Sequence, residues 1–72
     1  MEITVGIQHT NREVTVETDL TKDGALELIE KALAGSVLVL DDVKGRRVVI
    51  PANAVAYVEL GSDTAHPVGF LR

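Results

Sequence analysis

Apolar and polar residues alternate near the start of the chain, with the two-residue period that is typical of β-strands burying one face. The apolar members of this pattern are Ile3, Val5, Ile7, Val14 and Val16. Between the two runs lies segment 9–12, where Asn11 tolerates the left-handed backbone of a tight turn. We therefore predict a β-hairpin, with a turn centred on Thr10 and Asn11, in which Ile7 lies opposite Val14. Val5 then lies opposite Val16, and the cross-strand partners share the buried face.

The pattern changes to a helical period after residue 20. Apolar residues recur at the spacing of one helix face, namely at Ala25, Leu28, Ile29, Ala32 and Leu33. Thr21 is a typical N-cap residue, and Asp23 lies in the first turn, where the helix dipole favours negative charge. Gly35 follows the last apolar position, as glycine does at many helix ends. The pattern predicts a helix over residues 22–34.

The second half of the chain is predicted to be β-structure. The predicted strands cover 37–40, 46–50, 54–60 and, as a short edge strand, 67–71. Segment 41–45 forms a turn with Gly45 in a left-handed position, and Pro51 ends a strand because it lacks a backbone donor. The order β-β-α-β-β-β, with or without the last strand, indicates an α+β fold. In it a two-layer, mainly antiparallel sheet of about five strands packs on one helix, within a single domain over 1–72.

Several predicted strands are apolar on both faces, although one helix covers only one face of a sheet. The segments concerned are 37–40, 48–50 and 54–60. Either these strands curl into a partial barrel, or they bury their second face against another chain. Closed symmetric pairs are the commonest oligomers of soluble proteins. The pattern therefore favours a protein partner, with a homodimer as its simplest form.

Length and composition narrow the class of protein. The chain has 72 residues, a formal net charge of −4 and no cysteine. The absence of cysteine excludes disulfides and thiolate zinc sites and suits a reducing compartment. No secretory signal pattern opens the chain, and no apolar run approaches the roughly 18 residues of a membrane span. We expect a cytoplasmic protein that is not embedded in a membrane, and its acidic balance disfavours nucleic acid as a partner.

Residues that carry chemistry are few and scattered. The six glycines stand apart from one another, so they do not form the loop that cradles phosphates. They are Gly6, Gly24, Gly35, Gly45, Gly61 and Gly69. His9 and His66 lack the partner ligands that a metal site needs, and Asp41 and Asp42 would point to opposite faces of a strand. The sequence predicts no enzyme activity, no cofactor and no metal site.

One basic cluster, formed by Lys44, Arg46 and Arg47, occupies the predicted turn at 44–47. Such a cluster can grip a phosphate or an acidic partner. The alternative is a solvated turn that Asp41 and Asp42 neutralise. No aromatic side chains accompany the cluster, although binding of single-stranded nucleic acid usually involves them.

Tyr57 is the candidate interface anchor. It lies within the apolar run 54–58, and tyrosine is enriched among the residues that dominate binding energies. The alternative is a tyrosine that packs in the core or on a sheet face. Lys44, Arg46, Arg47 and Tyr57 are therefore the candidate interaction residues of the chain.

The segment 42–61, DVKGRRVVIPANAVAYVELG, is distinctive, as is the opening MEITVGIQ. With them the chain resembles, over essentially its whole length, the DUF3107 family of short actinobacterial proteins of unknown function. The resemblance implies a cytoplasmic protein and supplies no agreed activity or catalytic residues. Some automatic naming in such families says "ATP-binding", but the chain departs from the known nucleotide-binding patterns.

The leading functional hypothesis is a non-enzymatic protein-interaction or regulatory module. Two alternatives remain open. The first is nucleic-acid binding through the basic turn 44–47. The second is binding of a small ligand or nucleotide, without a P-loop, in an apolar pocket beneath the helix.

Overall fold

The computed structural model describes residues 1–61. The elements are β1 (Glu2–Ile7), β2 (Glu13–Glu17), α1 (Lys22–Ala34), β3 (Val37–Asp41), β4 (Arg47–Pro51) and β5 (Val55–Leu60), with a 3₁₀ turn at Ala52–Ala54. The order β-β-α-β-β-β and the α+β class with one helix are confirmed. The edge strand predicted at 67–71 lies outside the described residues, and the single domain over 1–72 stays a prediction.

The five strands divide into two antiparallel sheets where the sequence predicted one. The first sheet has the order β2-β1-β5, and the second is the β3-β4 hairpin. Within residues 1–61 the turn of this hairpin, and no strand, covers the outer edge of β2. There the Val43 N–H donates to the Glu17 carbonyl at 2.8 Å, and the Arg46 guanidinium donates to the Thr15 carbonyl at 2.8 Å. These bonds occupy the backbone groups through which β2 would otherwise join the second sheet.

The β1–β2 hairpin forms, but its predicted register is wrong by two residues. Val5 lies opposite Val14, and Ile3 lies opposite Val16. The residue with a positive φ is His9, at 64°, where we expected Asn11. Thr10 Oγ1 accepts a hydrogen bond from the Arg12 N–H at 3.1 Å, which stabilises a turn one residue earlier. Because a shift of two residues keeps the strand alternation, the same face stays buried.

The core lies between the three-stranded sheet, the helix and the β3–β4 hairpin. Its buried side chains are Ile3, Val5, Val16, Ala25, Ile29, Leu38, Leu40 and Ile50. Burial of an aliphatic side chain of this size stabilises the fold by about 1.5–3 kcal/mol relative to exposure. Each of the three layers contributes, so neither sheet has a core of its own.

The helix begins and ends where the sequence predicted. The Gly24 N–H donates to Thr21 Oγ1 at 3.1 Å, which confirms the N-cap. The apolar stripe is only partly buried, however. Ala25 and Ile29 are buried, whereas Leu28 and Leu33 are 36% and 42% exposed. Two small sheets meet the helix along a narrow line, and apolar side chains on both flanks of this line remain open.

Candidate functional site

The outer face of the β3–β4 hairpin is apolar. Strand β3 alternates between buried Leu38 and Leu40 and exposed Val37 and Val39. Val39 lies opposite Val49, which is 57% exposed. We call the surface of Val37, Val39 and Val49 the valine face. In the single chain this strand has one open face, and among residues 1–61 the strands do not close into the partial barrel that was one of the two alternatives.

A groove lies beside the valine face, between the start of the helix and β3. Its volume is about 350 Å³, and its apolar lining includes Leu20, Leu28, Val39 and Val43. Leu20 and Val43 are 40% and 47% exposed. The groove and the valine face share Val39, so they form one continuous apolar surface.

The predicted basic cluster lies at the β3–β4 turn, and its arginines are bound within the chain. Arg47 Nε donates to Asp41 Oδ1 at 2.7 Å, and this hydrogen bond, with the charge of Asp41, raises the pKa of Arg47. Arg46 binds the Thr15 carbonyl and lies 3.5 Å from Asp42 Oδ2. The two aspartates face the two arginines across the turn. This is the arrangement expected for a solvated turn in which Asp41 and Asp42 neutralise the basic residues.

Asp42 organises this turn and connects it to β2. Its carboxylate accepts hydrogen bonds from the Lys44 N–H at 2.7 Å and from the Glu17 N–H at 3.3 Å. The bond from Lys44 is the main cause that lowers the pKa of Asp42, while burial opposes it. Gly45 completes the turn with a φ of 93°, which confirms its predicted left-handed position.

Tyr57 lies on the face of the three-stranded sheet that is turned away from the core. Its ring covers Gly6, where a Cβ atom would collide with it. Its hydroxyl donates a hydrogen bond to the Glu13 carboxylate. This bond, with some burial and the charges of Glu13 and Glu59, raises the pKa of Tyr57. The side chain thus bridges β5, β1 and β2, and it remains 46% exposed.

A second apolar groove separates α1 from β5. Its volume is about 340 Å³, and Leu26 and Leu33 line it from the helix side. These two leucines are 46% and 42% exposed. Val58 and Leu60 line the strand side. We call this the helix–strand groove.

The structure groups the candidate residues into two separate places. Lys44, Arg46 and Arg47 share the β3–β4 turn, and the Asp41–Arg47 pair lies next to the Leu40–Val48 pair in the hairpin. Tyr57 lies on the other sheet. The sequence pattern had indicated surplus apolar surface on segments 37–40 and 48–50, which contain the valine face, but it gave no signal for the exposed Leu20, Leu26 and Leu33.

Residues 1–61 contain no group of three or more His, Asp or Glu side chains that could hold a metal ion. In the same residues, α1 is too short and too polar to cross a membrane.

These features define a class of small α+β protein in which one helix joins two antiparallel sheets and leaves apolar surfaces open. The chain belongs to the family described as "Protein of unknown function (DUF3107)", whose family model matches residues 1–71. This match confirms the family that the segment 42–61 indicated. Comparison with curated proteins gives no match.

Proposed function

We propose that this protein is a non-enzymatic protein-interaction module that binds its partner through the valine face. The observation that carries the proposal is the pair Val39 and Val49, which lie opposite each other on the outer face of the hairpin and are 37% and 57% exposed. Strands with one solvated face normally alternate apolar and polar residues. Contiguous exposed apolar surface of this kind marks interaction sites.

The surroundings of the valine face suit a protein partner. The adjoining groove with Leu20 and Leu28 offers a concave pocket for an apolar side chain. Arg47, exposed and held by Asp41, lies at the end of the same hairpin face. Arginine is enriched in protein interfaces, and a charged rim around an apolar centre is their usual arrangement. A regulatory role in the cytoplasm is part of the proposal, and the cysteine-free chain suits that compartment.

Nucleic-acid binding through residues 44–47 has less support. Arg46 and Arg47 each lie against an aspartate, so binding a phosphate would first separate these pairs. Tyr57, the aromatic side chain within 1–61, lies on the other sheet. Neither groove contains a cluster of donors that would recognise a nucleotide phosphate.

A photo-cross-linking side chain placed at position 49 in living cells tests the proposal. We expect one dominant protein adduct at this position, and we expect Val39→Lys in the same chain to abolish it. Position 27, which is exposed on the helix, provides the matched control and should yield no such adduct. Equal adducts at both positions, or an adduct at 49 that survives Val39→Lys, would exclude the valine face as the binding surface.

A further inference from the structure

The outer edge of β5 offers unpaired backbone groups. The Gly61 N–H donates to the Glu2 carbonyl at 2.8 Å. Every second residue of β5, counted back from Gly61 to Glu59 and Tyr57, therefore directs its backbone groups toward β1. The intervening residues Val58 and Leu60 direct their N–H and C=O groups away from β1. Ala56 lies at the register shift between the two strands, where this alternation is interrupted. Within residues 1–61 no strand pairs with this edge. An open edge of this kind is a template for another strand.

The helix–strand groove runs along the same edge. Leu26 and Leu33 line it from above, and Val58 and Leu60 line it from the sheet. A strand added beside β5 would place its core-facing side chains against these two leucines. The open edge and the groove therefore form a single surface, where a partner could bind both the backbone groups of β5 and the apolar side chains of the groove.

We propose that a second copy of this chain binds here, with the two β5 strands antiparallel around a two-fold axis at Val58. The self-complementarity of β5 identifies the occupant. In this register Val58 lies opposite Val58 of the second copy. On the other face of the sheet Tyr57 lies opposite Glu59, so no like charges meet directly, which would be destabilising. The product is one continuous six-stranded sheet.

The β5 edge alone is too small for a stable dimer interface. Because Ala56 lies at the register shift, Val58 is the residue whose pair exchanges two backbone hydrogen bonds. A strand edge this short falls well below the roughly 800 Å² that each partner buries in a stable interface. The dimer must therefore also bury Leu26 and Leu33, which makes their replacement a specific test. This surface is separate from the valine face, so its test does not depend on the proposed function.

A single-cysteine variant provides the first measurement, since the natural chain has no cysteine. Residues opposite each other in a hydrogen-bonded antiparallel pair have Cα atoms about 5.5 Å apart. Disulfides form at Cα separations of about 4.4–6.8 Å. We expect Val58→Cys to form a disulfide dimer under mild oxidation at least roughly tenfold faster than the control Val49→Cys, because pairing raises the effective thiol concentration. Equal rates for the two variants would overturn the proposal.

Sedimentation of the cysteine-free protein provides the second measurement. We expect the wild type to be dimeric, Leu33→Lys to be monomeric with an unchanged circular dichroism spectrum, and the control Leu20→Lys to remain dimeric. A wild type that stays monomeric at millimolar concentration would overturn the proposal. If the Val58 and Leu60 amides of such a monomer also resist hydrogen exchange, another segment of the same chain occupies the edge.

Discussion

The ring of Tyr57 covers Gly6, and its hydroxyl reaches Glu13 on the far strand of the sheet. The sequence predicted Tyr57 as an interface anchor, with a core or sheet-face tyrosine as the alternative, and it gave no sign of the contact with Gly6. Glycine in a strand leaves room for a close neighbour, and here the neighbour is an aromatic ring from the adjacent strand. The contact joins all three strands of the first sheet through one side chain.

Titration of Tyr57 tests this contact. The chain contains one tyrosine and no tryptophan, so phenolate absorbance reports this residue alone. Its pKa is raised above the ordinary value of about 10, mainly by the hydrogen bond to Glu13. We expect Glu13→Gln to lower the pKa substantially and Glu59→Gln to lower it only slightly, since Glu59 acts through its charge alone. A larger effect of Glu59→Gln would contradict the assigned hydrogen bond.

The sign of the linkage to stability follows from the raised pKa. Neutral Tyr57 favours the folded state, so its contribution is complete below about pH 10 and is lost as the pH rises through the folded-state pKa. Gly6→Ala provides a second check of the same contact, because the new methyl group displaces the ring from Glu13. We expect this variant to return the pKa toward its ordinary value.

Residue-level patterns predicted local features well and distant ones poorly. The Thr21 cap and the positive φ of Gly45 depend on neighbours within a few residues, and both were predictable. The Gly6–Tyr57 contact depends on how β1 and β5 align across most of the chain, and no local pattern encodes that alignment. The predicted hairpin register was wrong because the turn lies one residue earlier, where Thr10 Oγ1 accepts a hydrogen bond from the Arg12 N–H.

Among the elements, the β3–β4 hairpin makes the least expected connection. Its turn sequence, from Asp42 to Gly45, is typical of a three-residue hairpin loop, with Asp at the start of a turn and Gly at its left-handed position. The bonds from this turn to Glu17 and Thr15 on β2 join the two sheets. Asp42 therefore stabilises both a local turn and a contact between elements.

Asp42→Asn tests this role. We expect a lower urea midpoint than that of the wild type at pH 7, because the charged carboxylate accepts hydrogen bonds from Lys44 and Glu17 and lies near Arg46. The pKa of Asp42 is lowered in the fold, so its contribution is present above about pH 4 and is lost as the pH falls through the folded-state value. The difference between the two proteins should shrink accordingly in acid.

Asp41→Asn is the matched control for this measurement. Asp41 carries a similar charge one residue away, but its side chain is 64% exposed and, among residues 1–61, pairs only with Arg47. Exposed ion pairs of this kind contribute little to stability. We expect a small change in the urea midpoint, and a loss equal to that of Asp42→Asn would show that the bonds to Lys44 and Glu17 are unimportant.

The bounds of the elements could be predicted, but their burial could not. The helix at 22–34 and the strands 13–17 and 37–40 follow from period, capping and turn residues. The sequence did not reveal that the helix buries only a narrow line of small and aliphatic residues, leaving Leu26 and Leu28 open on either side. That outcome depends on the division of the strands into two sheets, which is a property of tertiary packing.

On the scale of the whole molecule, the surfaces that hold the fold together are distinct from those that are open to partners. The buried layer includes Leu38 and Ile50 from the hairpin and Ile3 and Val5 from the three-stranded sheet. A two-stranded hairpin is marginal by itself, so the hairpin depends on this shared layer. Val49, on the opposite face of β4, is outside it.

A pair of truncations on the hairpin tests this separation. Leu38→Ala opens a cavity in the shared core, and we expect it to lower the free energy of unfolding by about 2–5 kcal/mol. Val49→Ala should change it by less than about 0.5 kcal/mol, as exposed substitutions usually do.

In urea, Tyr57 absorbance follows the first sheet and the amide signals of β3 and β4 follow the second. Coincident midpoints are expected for both variants, because one core serves both sheets. If the hairpin unfolded at lower urea than the first sheet, it would be a separate unit. A large loss in Val49→Ala would mean that the valine face already has a role in folding.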